Sequence, residues 1–343
     1  MRIDIVTFGA ALCDAFLFVG KEDAMVMNNP KKDMTRKKLV AFEYGAKINA
    51  TNSVRSFGGG ALNAAVTFAR MGFKTAAAVS TGDDDDADAI ERHARKEGIS
   101  TEFMSRDKKK NTGLSVLAVA GSLHDHVAII DRGANESYNF VLPSGMAQAS
   151  WFYTTSLSGG HWKKAVDAMS RVAHDNAIKW AWNPGSLQLS LGLSKLGSYL
   201  ERCTVLILNR DEAIGLVSAN GSKRMKDAPS YLLDALHESG PEIVIITDGA
   251  RGVYCADATQ KIFMEADARV KACESTGAGD SFGSGFISGL MMGKTTDILY
   301  ALDVGMTNAE SVIEQVGAQA GILKRSQVAS LKKRAKHKIR VIH

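Results

Sequence analysis

Residues 274–285 read ESTGAGDSFGSG. Three small residues, Gly277, Ala278 and Gly279, lead into Asp280 and then into an apolar helical run, 282–292. Small residues at a helix start let a ligand come close to the backbone, and the unpaired N–H groups there attract anions with help from the helix dipole. Asp280 admits two readings. It is a helix cap beside tightly packed glycines, or it is a carboxylate that meets a hydroxyl next to a transferring phosphoryl group.

Outward from this segment, short β-rich runs alternate with longer helical patterns. Residues 3–8, 74–80, 151–155, 177–182, 205–208 and 243–247 read as buried strands. Helices are expected at 61–71, ending at Gly72, at 84–97, ending at Gly98, and at 161–174, 210–217 and 229–239. This βα alternation predicts a parallel sheet covered by helices on both faces, with ligands at the carboxyl ends of the strands. Two stretches break the rhythm. Residues 18–54 are polar and lysine-rich, with a strand hint at 39–44. Residues 113–138 hold two strand-like runs, 114–120 and 126–130, joined by a Gly-Ser turn. The two stretches are expected to pair as a small projecting sheet that acts as a lid, with a disordered or ordinary loop as the other reading of 21–38.

Bulk properties exclude several classes. With 45% apolar and 23% charged residues among 343, the chain has the composition of a globular protein with a large core. The net charge of +5 is concentrated in terminal segments such as 332–338 (KKRAKHK), which lack interleaved aromatic residues, so a nucleic-acid partner is not expected. No apolar run reaches the roughly 18 residues that span a bilayer, and residues 3–8 begin a strand without a leader pattern. A cytoplasmic protein without a membrane partner is therefore expected. Cys13, Cys203, Cys255 and Cys273 form no CxxC pair and are read as small buried hydrophobes. The eight histidines show no HExxH spacing, no GxxxxGK[ST] occurs, and no GxGxxG follows the first strand. The acids of 82–88 (GDDDDAD) suit the start of the following helix better than a metal cluster.

GAGD followed by a small-residue helix resembles the signature of the ribokinase-like carbohydrate kinases, the phosphofructokinase-B family. Residues 58–63 (GGGALN) resemble the family's substrate motif, with Gly58 and Gly59 at the turn and Asn63 at the position of its substrate-binding Asn. Residues 9–14 (GAALCD) resemble the first-strand exit whose acid, here Asp14, binds substrate hydroxyls. Residues 209–212 (NRDE) resemble the NxxE motif that positions phosphate and hydrated magnesium. The resemblance thus assigns Asn209 and Glu212, the latter touching metal only through water, although such a pair is also a common helix cap. Thr247, Gly249 and Gly252 in TDGARG resemble the TxGxxG turn that contacts nucleotide phosphates, and the same pattern suits a strand-to-strand turn. Asn308 lies in a segment that resembles the nucleotide-side helix, and Asn183–Pro184 follows a strand as in many members. The motifs run in family order along almost the whole chain.

The resemblance implies one domain over 1–343, an α/β/α three-layer sandwich with a mainly parallel sheet and a β-lid contributed by about 15–56 and 110–138. It implies ATP and Mg²⁺, a sugar or nucleoside substrate beneath the lid held by Asp14, Gly59 and Asn63, and Asp280 as base. The Gly277, Ala278 and Gly279 amides are then the anion hole. Departures from the family pattern bear on specificity. Glu274 stands where many members have Asp, in a region that helps form a monovalent-cation site, which puts potassium activation in doubt. Gly60 replaces the Lys of ribokinases proper, and residues 151–160 carry no acid. Arg132 and Asn135 (RGAN) follow a lid strand, and Arg132 suits either an acidic or phosphorylated sugar or an exposed turn. An aromatic sandwich from Phe18, Phe42 or Tyr44 would mark a nucleoside kinase, and a catalytically idle binding protein on the same fold is the third reading. The exposed apolar face and strand edges of a lid predict a homodimer.

Overall fold

The computed structural model describes residues 2–20, 22–30, 38–120, 126–137, 144–218, 228–293, 297–332 and 337–342. The Gly-Ser turn at 121–122, residues 21 and 31–37 of the lysine-rich stretch, and residues 333–336 of the basic tail lie outside them.

Six strands form the parallel centre of a nine-stranded sheet. In spatial order they are Ile243–Thr247, Val205–Asn209, Lys179–Trp182, Trp151–Thr154, Ile5–Phe8 and Thr75–Ala78. The alternation of side chains along each strand sorts them onto two faces. Val6, Phe8, Phe152, Trp180, Trp182, Leu206 and Ile246 pack against the Trp162–Asp175 and Pro229–His237 helices. Ile5, Tyr153, Val205, Ile207 and Ile245 pack against the Gly60–Arg70, Ala278–Met292 and Ile298–Ile313 helices. The last two helices approach closely because of glycine. A Cβ on Gly289 would stand 2.6 Å from Ala301 Cα.

The sheet is mainly parallel, as expected, and its departure from parallel order lies at one edge. Gly252–Ala256, Lys261–Glu265 and Ile339–Val341 extend the sheet as antiparallel edge strands. TDGARG is accordingly the turn between two antiparallel strands, closed by Asp248 N–H donating to the Gly252 carbonyl at 2.8 Å.

The lid is a four-stranded sheet in the order His126–Asp131, Gly113–Ala120, Leu12–Val19, Ala50–Gly58. Leu12–Val19 follows Ile5–Phe8 after only three residues, so the lid strand starts at Leu12, against the bound of about residue 15 that the resemblance implies. Met25–Asn28 and Lys38–Ala41 add a two-stranded ribbon. Asp84 caps the Asp85–Lys96 helix by accepting from Ala87 N–H at 2.9 Å, and also accepts from Thr112 N–H at 2.7 Å, next to the lid strand. Cys203 and Cys255 are buried as expected, whereas Cys13 is half-buried and Cys273 exposed, because each sits at a loop or lid junction rather than in the central sheet. No described helix is long and apolar enough to cross a membrane.

Candidate active site

The carboxyl ends of the parallel strands converge on two adjacent cavities. One, of about 280 Å³, is lined by Gly59, Gly60, Arg132, Asn135, Thr155 and Asp280, with Ser156 and Asn183 beside them. The other, of about 250 Å³, is lined by Asn209, Glu212, Thr247, Gly277, Gly279 and again Asn183 and Asp280. Asp280 and Asn183 are therefore in the wall common to both.

The glycine loop delivers Asp280 to that wall. Gly277 takes a left-handed conformation, φ 78°, as the cap of the Ala278–Met292 helix, and a Cβ there would stand 2.5 Å from the Ala318 Cβ. Gly277 and Gly279 line the second cavity at the positive end of the helix. The Ala278 N–H instead donates to the Ser275 carbonyl at 3.2 Å and closes the turn. Asp280 is partly buried, and burial raises its pKa, opposed by a hydrogen bond from Asn63 Nδ2 to Oδ2 at 2.9 Å. The backbone N–H groups at a helix start and a carboxylate at the same point favour opposite charges nearby, an arrangement that suits an anion and a proton-bearing hydroxyl side by side.

Gly59 caps the Gly60–Arg70 helix with φ 97°, its ideal Cβ position only 2.4 Å from the Ala10 carbonyl oxygen. That tight approach of the first-strand exit to the helix start forms the floor of the first cavity. A Cβ on Gly58 would stand 2.0 Å from Asp14 Oδ2, so its glycine is what leaves room for that carboxylate. Asp14 is 5% exposed and lies opposite Ser115 and Ser56 in the lid sheet. Burial, with the Glu274 and Asp280 charges nearby, pushes its pKa up to about 7 against a hydrogen bond from Ser115. Asn63 is not among the residues lining either cavity; its Nδ2 donates to Asp280 Oδ2 and its Oδ1 accepts from Gln319 Nε2.

Asn135 lines the first cavity but its amide clasps the backbone. It accepts from Ala11 N–H and donates to the Ala11 carbonyl, each at 2.9 Å, pinning lid to sheet. Arg132 is exposed toward the same cavity. Asn209 and Glu212 form a reciprocal cap, Glu212 Oε2 accepting from Asn209 N–H and Asn209 Oδ1 from Glu212 N–H. Both also line the second cavity, so the capping and ligand readings of NRDE coincide at one place. Burial raises the Glu212 pKa. Of the TDGARG residues, Thr247 lines the second cavity, whereas Gly249 and Gly252 are not among the described residues lining either of the two and instead shape the turn. Asn308 is not brought to either cavity. It is fully buried, donating to the Ser281 carbonyl at 2.9 Å and accepting from Leu323 N–H at 3.0 Å, and so braces two helices.

Thr155, Ser156 and Asn183 line the cavities without having been singled out as site residues. Each lies just beyond the carboxyl end of a parallel strand, which is the positional signal that finds them. No group of three metal-ligating side chains occurs among the described residues.

Known proteins of similar sequence and fold identify the family. A ribokinase from Haemophilus influenzae is 26% identical over 292 residues, covering 82% of this chain and 89% of that one. A 5-dehydro-2-deoxygluconokinase from Bacillus subtilis is 25% identical, covering 81% of this chain and 87% of that one. The structure of Arabidopsis thaliana ribokinase complexed with ribose and ATP superposes with a TM-score of 0.77 at 17% identity, covering 97% and 99% of the two chains. The sequence profile of the pfkB family carbohydrate kinases matches residues 28–325, and the chain belongs to that family of phosphotransferases that act on an alcohol group.

Proposed function

We propose that this chain transfers the γ-phosphoryl group of ATP to a hydroxyl of a small sugar or sugar acid, with Asp280 as the general base. The observation that carries the proposal is the position of Asp280 in the wall shared by the two cavities. A hydroxyl in the first cavity and a terminal phosphate in the second meet at that carboxylate. Asp280 takes the hydroxyl proton as the oxygen attacks phosphorus, and the bond from phosphorus to the bridging oxygen of ADP breaks. The amides at the start of the Ala278–Met292 helix, with Gly277 and Gly279 nearest, stabilise the charge on the transferring group.

The second cavity also fits a divalent ion held mainly by phosphate. Glu212 offers one hard oxygen donor there while its Oε2 caps the helix, which matches magnesium's habit of keeping several waters. Magnesium would supply charge neutralisation across the phosphates. Near the glycine loop, Glu274 Oε2 is buried with no hydrogen-bond partner among the described residues, an atom that a monovalent cation would satisfy.

The lining supports a sugar or sugar acid over a nucleoside. Among the described residues of the first cavity there is no aromatic ring to stack on a base, while Phe42 and Tyr44 are 41% and 104% exposed on the lid. Arg132 is the one cation among those lining residues and suits a carboxylate on the acceptor. A Cβ at Gly60 would stand 2.8 Å from Thr155 Oγ1, so the lysine of ribokinases proper has no room here without movement of Thr155. Closure of the lid excludes water and limits ATP hydrolysis. The outward apolar face of the lid forms a homodimer contact, and the enzyme works in the cytoplasm.

A coupled ATP-consumption screen against sugars, sugar acids, sugar phosphates and nucleosides tests the reading, with Asp280→Asn alongside. The expected result is turnover with a sugar or sugar acid, lowered about 10²–10⁴-fold in the variant. Near wild-type turnover in Asp280→Asn would overturn the base assignment, and turnover with nucleosides alone would overturn the substrate class.

A further inference from the structure

A line of polar side chains runs from Asp280 away from both cavities, and its polarity follows from the chemistry at one end. An ionised carboxylate only accepts hydrogen bonds, so the Asn63 atom 2.9 Å from Asp280 Oδ2 is the donor Nδ2. Asn63 Oδ1 then faces the other way and accepts from Gln319 Nε2 at 2.9 Å. That leaves Gln319 Oε1 facing Nε2 of His93 at 2.7 Å, and His93 must carry a proton on that nitrogen. Three separate parts of the chain supply the line: the Gly60–Arg70 helix, the segment after the Ile298–Ile313 helix, and the Asp85–Lys96 helix.

The line is held rigidly. Asn63 and Gln319 are 4% and 6% exposed, so neither amide can exchange its partner for bulk water. Arg70 donates to the Gln319 carbonyl at 3.0 Å and the Ile322 carbonyl at 2.9 Å, which fixes the backbone beneath Gln319. Phe57 packs on the His93 ring with centroids 4.8 Å apart. If Gln319 did not donate, the Asn63 carbonyl would be buried without a partner, and rotation of the amide toward other donors would withdraw Nδ2 from the base.

We propose that Gln319, itself oriented by His93, is a positioning residue for the catalytic base: it locks the Asn63 amide so that Nδ2 donates to Asp280. One carboxylate oxygen is thereby held, and the other is left for the acceptor hydroxyl. The burial that would keep Asp280 protonated is opposed through this line. This rests on the reading of Asp280 as the base.

The test is a titration that needs no substrate. The protein is labelled with ¹³C at the aspartate carboxyls, and the Asp280 signal is identified by its loss in Asp280→Asn. In Gln319→Leu, which cannot donate, and in Gln319→Glu, which presents an acceptor to Asn63 at neutral pH, the Asp280 midpoint is expected to move upward. An unchanged midpoint in both variants, each shown to be folded by thermal melting, overturns the proposal. The ¹⁵N ring signals of wild-type His93 give a second reading that needs no variant. A proton on Nε2 is expected, and a neutral ring protonated only on Nδ1 overturns the line. With an acceptor from the screen in hand, the acidic limb of the kcat profile in Gln319→Leu is expected at higher pH with KM for ATP unchanged. If Asp280→Asn keeps its turnover, the base reading falls, while the titration and the ring signals still judge the hydrogen-bond line itself.

Discussion

His126 Nδ1, on a lid strand, lies 3.0 Å from Oε1 of Glu274, three residues before Gly277, the cap of the Ala278–Met292 helix. The same Glu274 oxygen accepts from the Thr276 amide at 2.6 Å and from the Thr276 hydroxyl. Glu274 is only 2% exposed, so lid position and glycine-loop shape share one buried carboxylate.

Replacing His126 removes one partner of that buried group. His126→Ala is expected to lower stability by about 1–3 kcal/mol, read as a fall of several degrees in Tm. The sign of its pH dependence follows from Glu274. Burial pushes its pKa up, but hydrogen bonds from His126 and Thr276 outweigh that and hold it below the usual carboxylate value. A depressed folded pKa contributes stability above the unfolded value, lost as pH falls through the folded one. The Tm gap between wild type and His126→Ala is thus expected to narrow in acid, and a gap that widens there would count against a stabilising His126–Glu274 contact.

Asp14 behaves in the opposite sense. Its folded pKa of about 7 stands above its unfolded value, so it favours folding when protonated and that favour is lost as pH rises through 7. Asp14→Asn is therefore expected to be more stable than wild type at pH 8, by up to a few kcal/mol, with the gain vanishing below pH 4. On the assignment of Asp14 to substrate hydroxyls that the family resemblance implies, the acceptor KM is expected to rise in the same variant, because an amide offers one acceptor oxygen where a carboxylate offers two. A stability gain independent of pH would show that Asp14 is not buried in the ionisable setting described.

Much of this is legible before any coordinates. The Gly277–Asp280 loop and the strand ends near Asn209 and Thr247 follow from local pattern, because a helix start and a parallel strand end are defined by a few consecutive residues. What is not legible depends on partners far apart in the chain. Gln319 is 256 residues from Asn63, and nothing in its neighbours distinguishes it from a surface glutamine. Glu274 reads as a substitution near a cation site until a lid strand places His126 against it. The basic tail is a similar case. Read locally, 332–338 is a solvated run of charge, yet His337 within it is buried between two acids from another helix.

That histidine gives an alkaline prediction. His337 Nδ1 lies 2.6 Å from Asp303 and Nε2 3.0 Å from Glu310, tying the Ile339–Val341 edge strand to the Ile298–Ile313 helix. Burial pushes its pKa down, but hydrogen bonds to Asp303 and Glu310 outweigh that and raise it to about 9. A raised histidine pKa stabilises fully below the unfolded value near 6.5 and loses that contribution as pH rises through 9. Wild-type Tm is expected to fall between pH 7 and pH 10, and His337→Gln to flatten that limb by an amount on the order of 3 kcal/mol. Equal slopes in the two proteins would remove His337 from the account.

The outward face of the lid bears on assembly. Register places Ile129 opposite Val116 and Val127 opposite Ala118, and Leu114 shares the Val116 face. Ile129, Val127 and Leu114 are 67%, 40% and 39% exposed, so a row of branched apolar side chains faces water on an open sheet. A second copy of the same face would cover it with two-fold symmetry, each lid burying the other's row. Light scattering at micromolar concentration is expected to give twice the 36.8 kDa chain mass. Ile129→Arg puts two like charges near the symmetry axis and is expected to yield monomer with its melting curve still cooperative. A wild-type monomer in that measurement, or a variant dimer unchanged by the arginine, would mean that this face is not the contact between subunits.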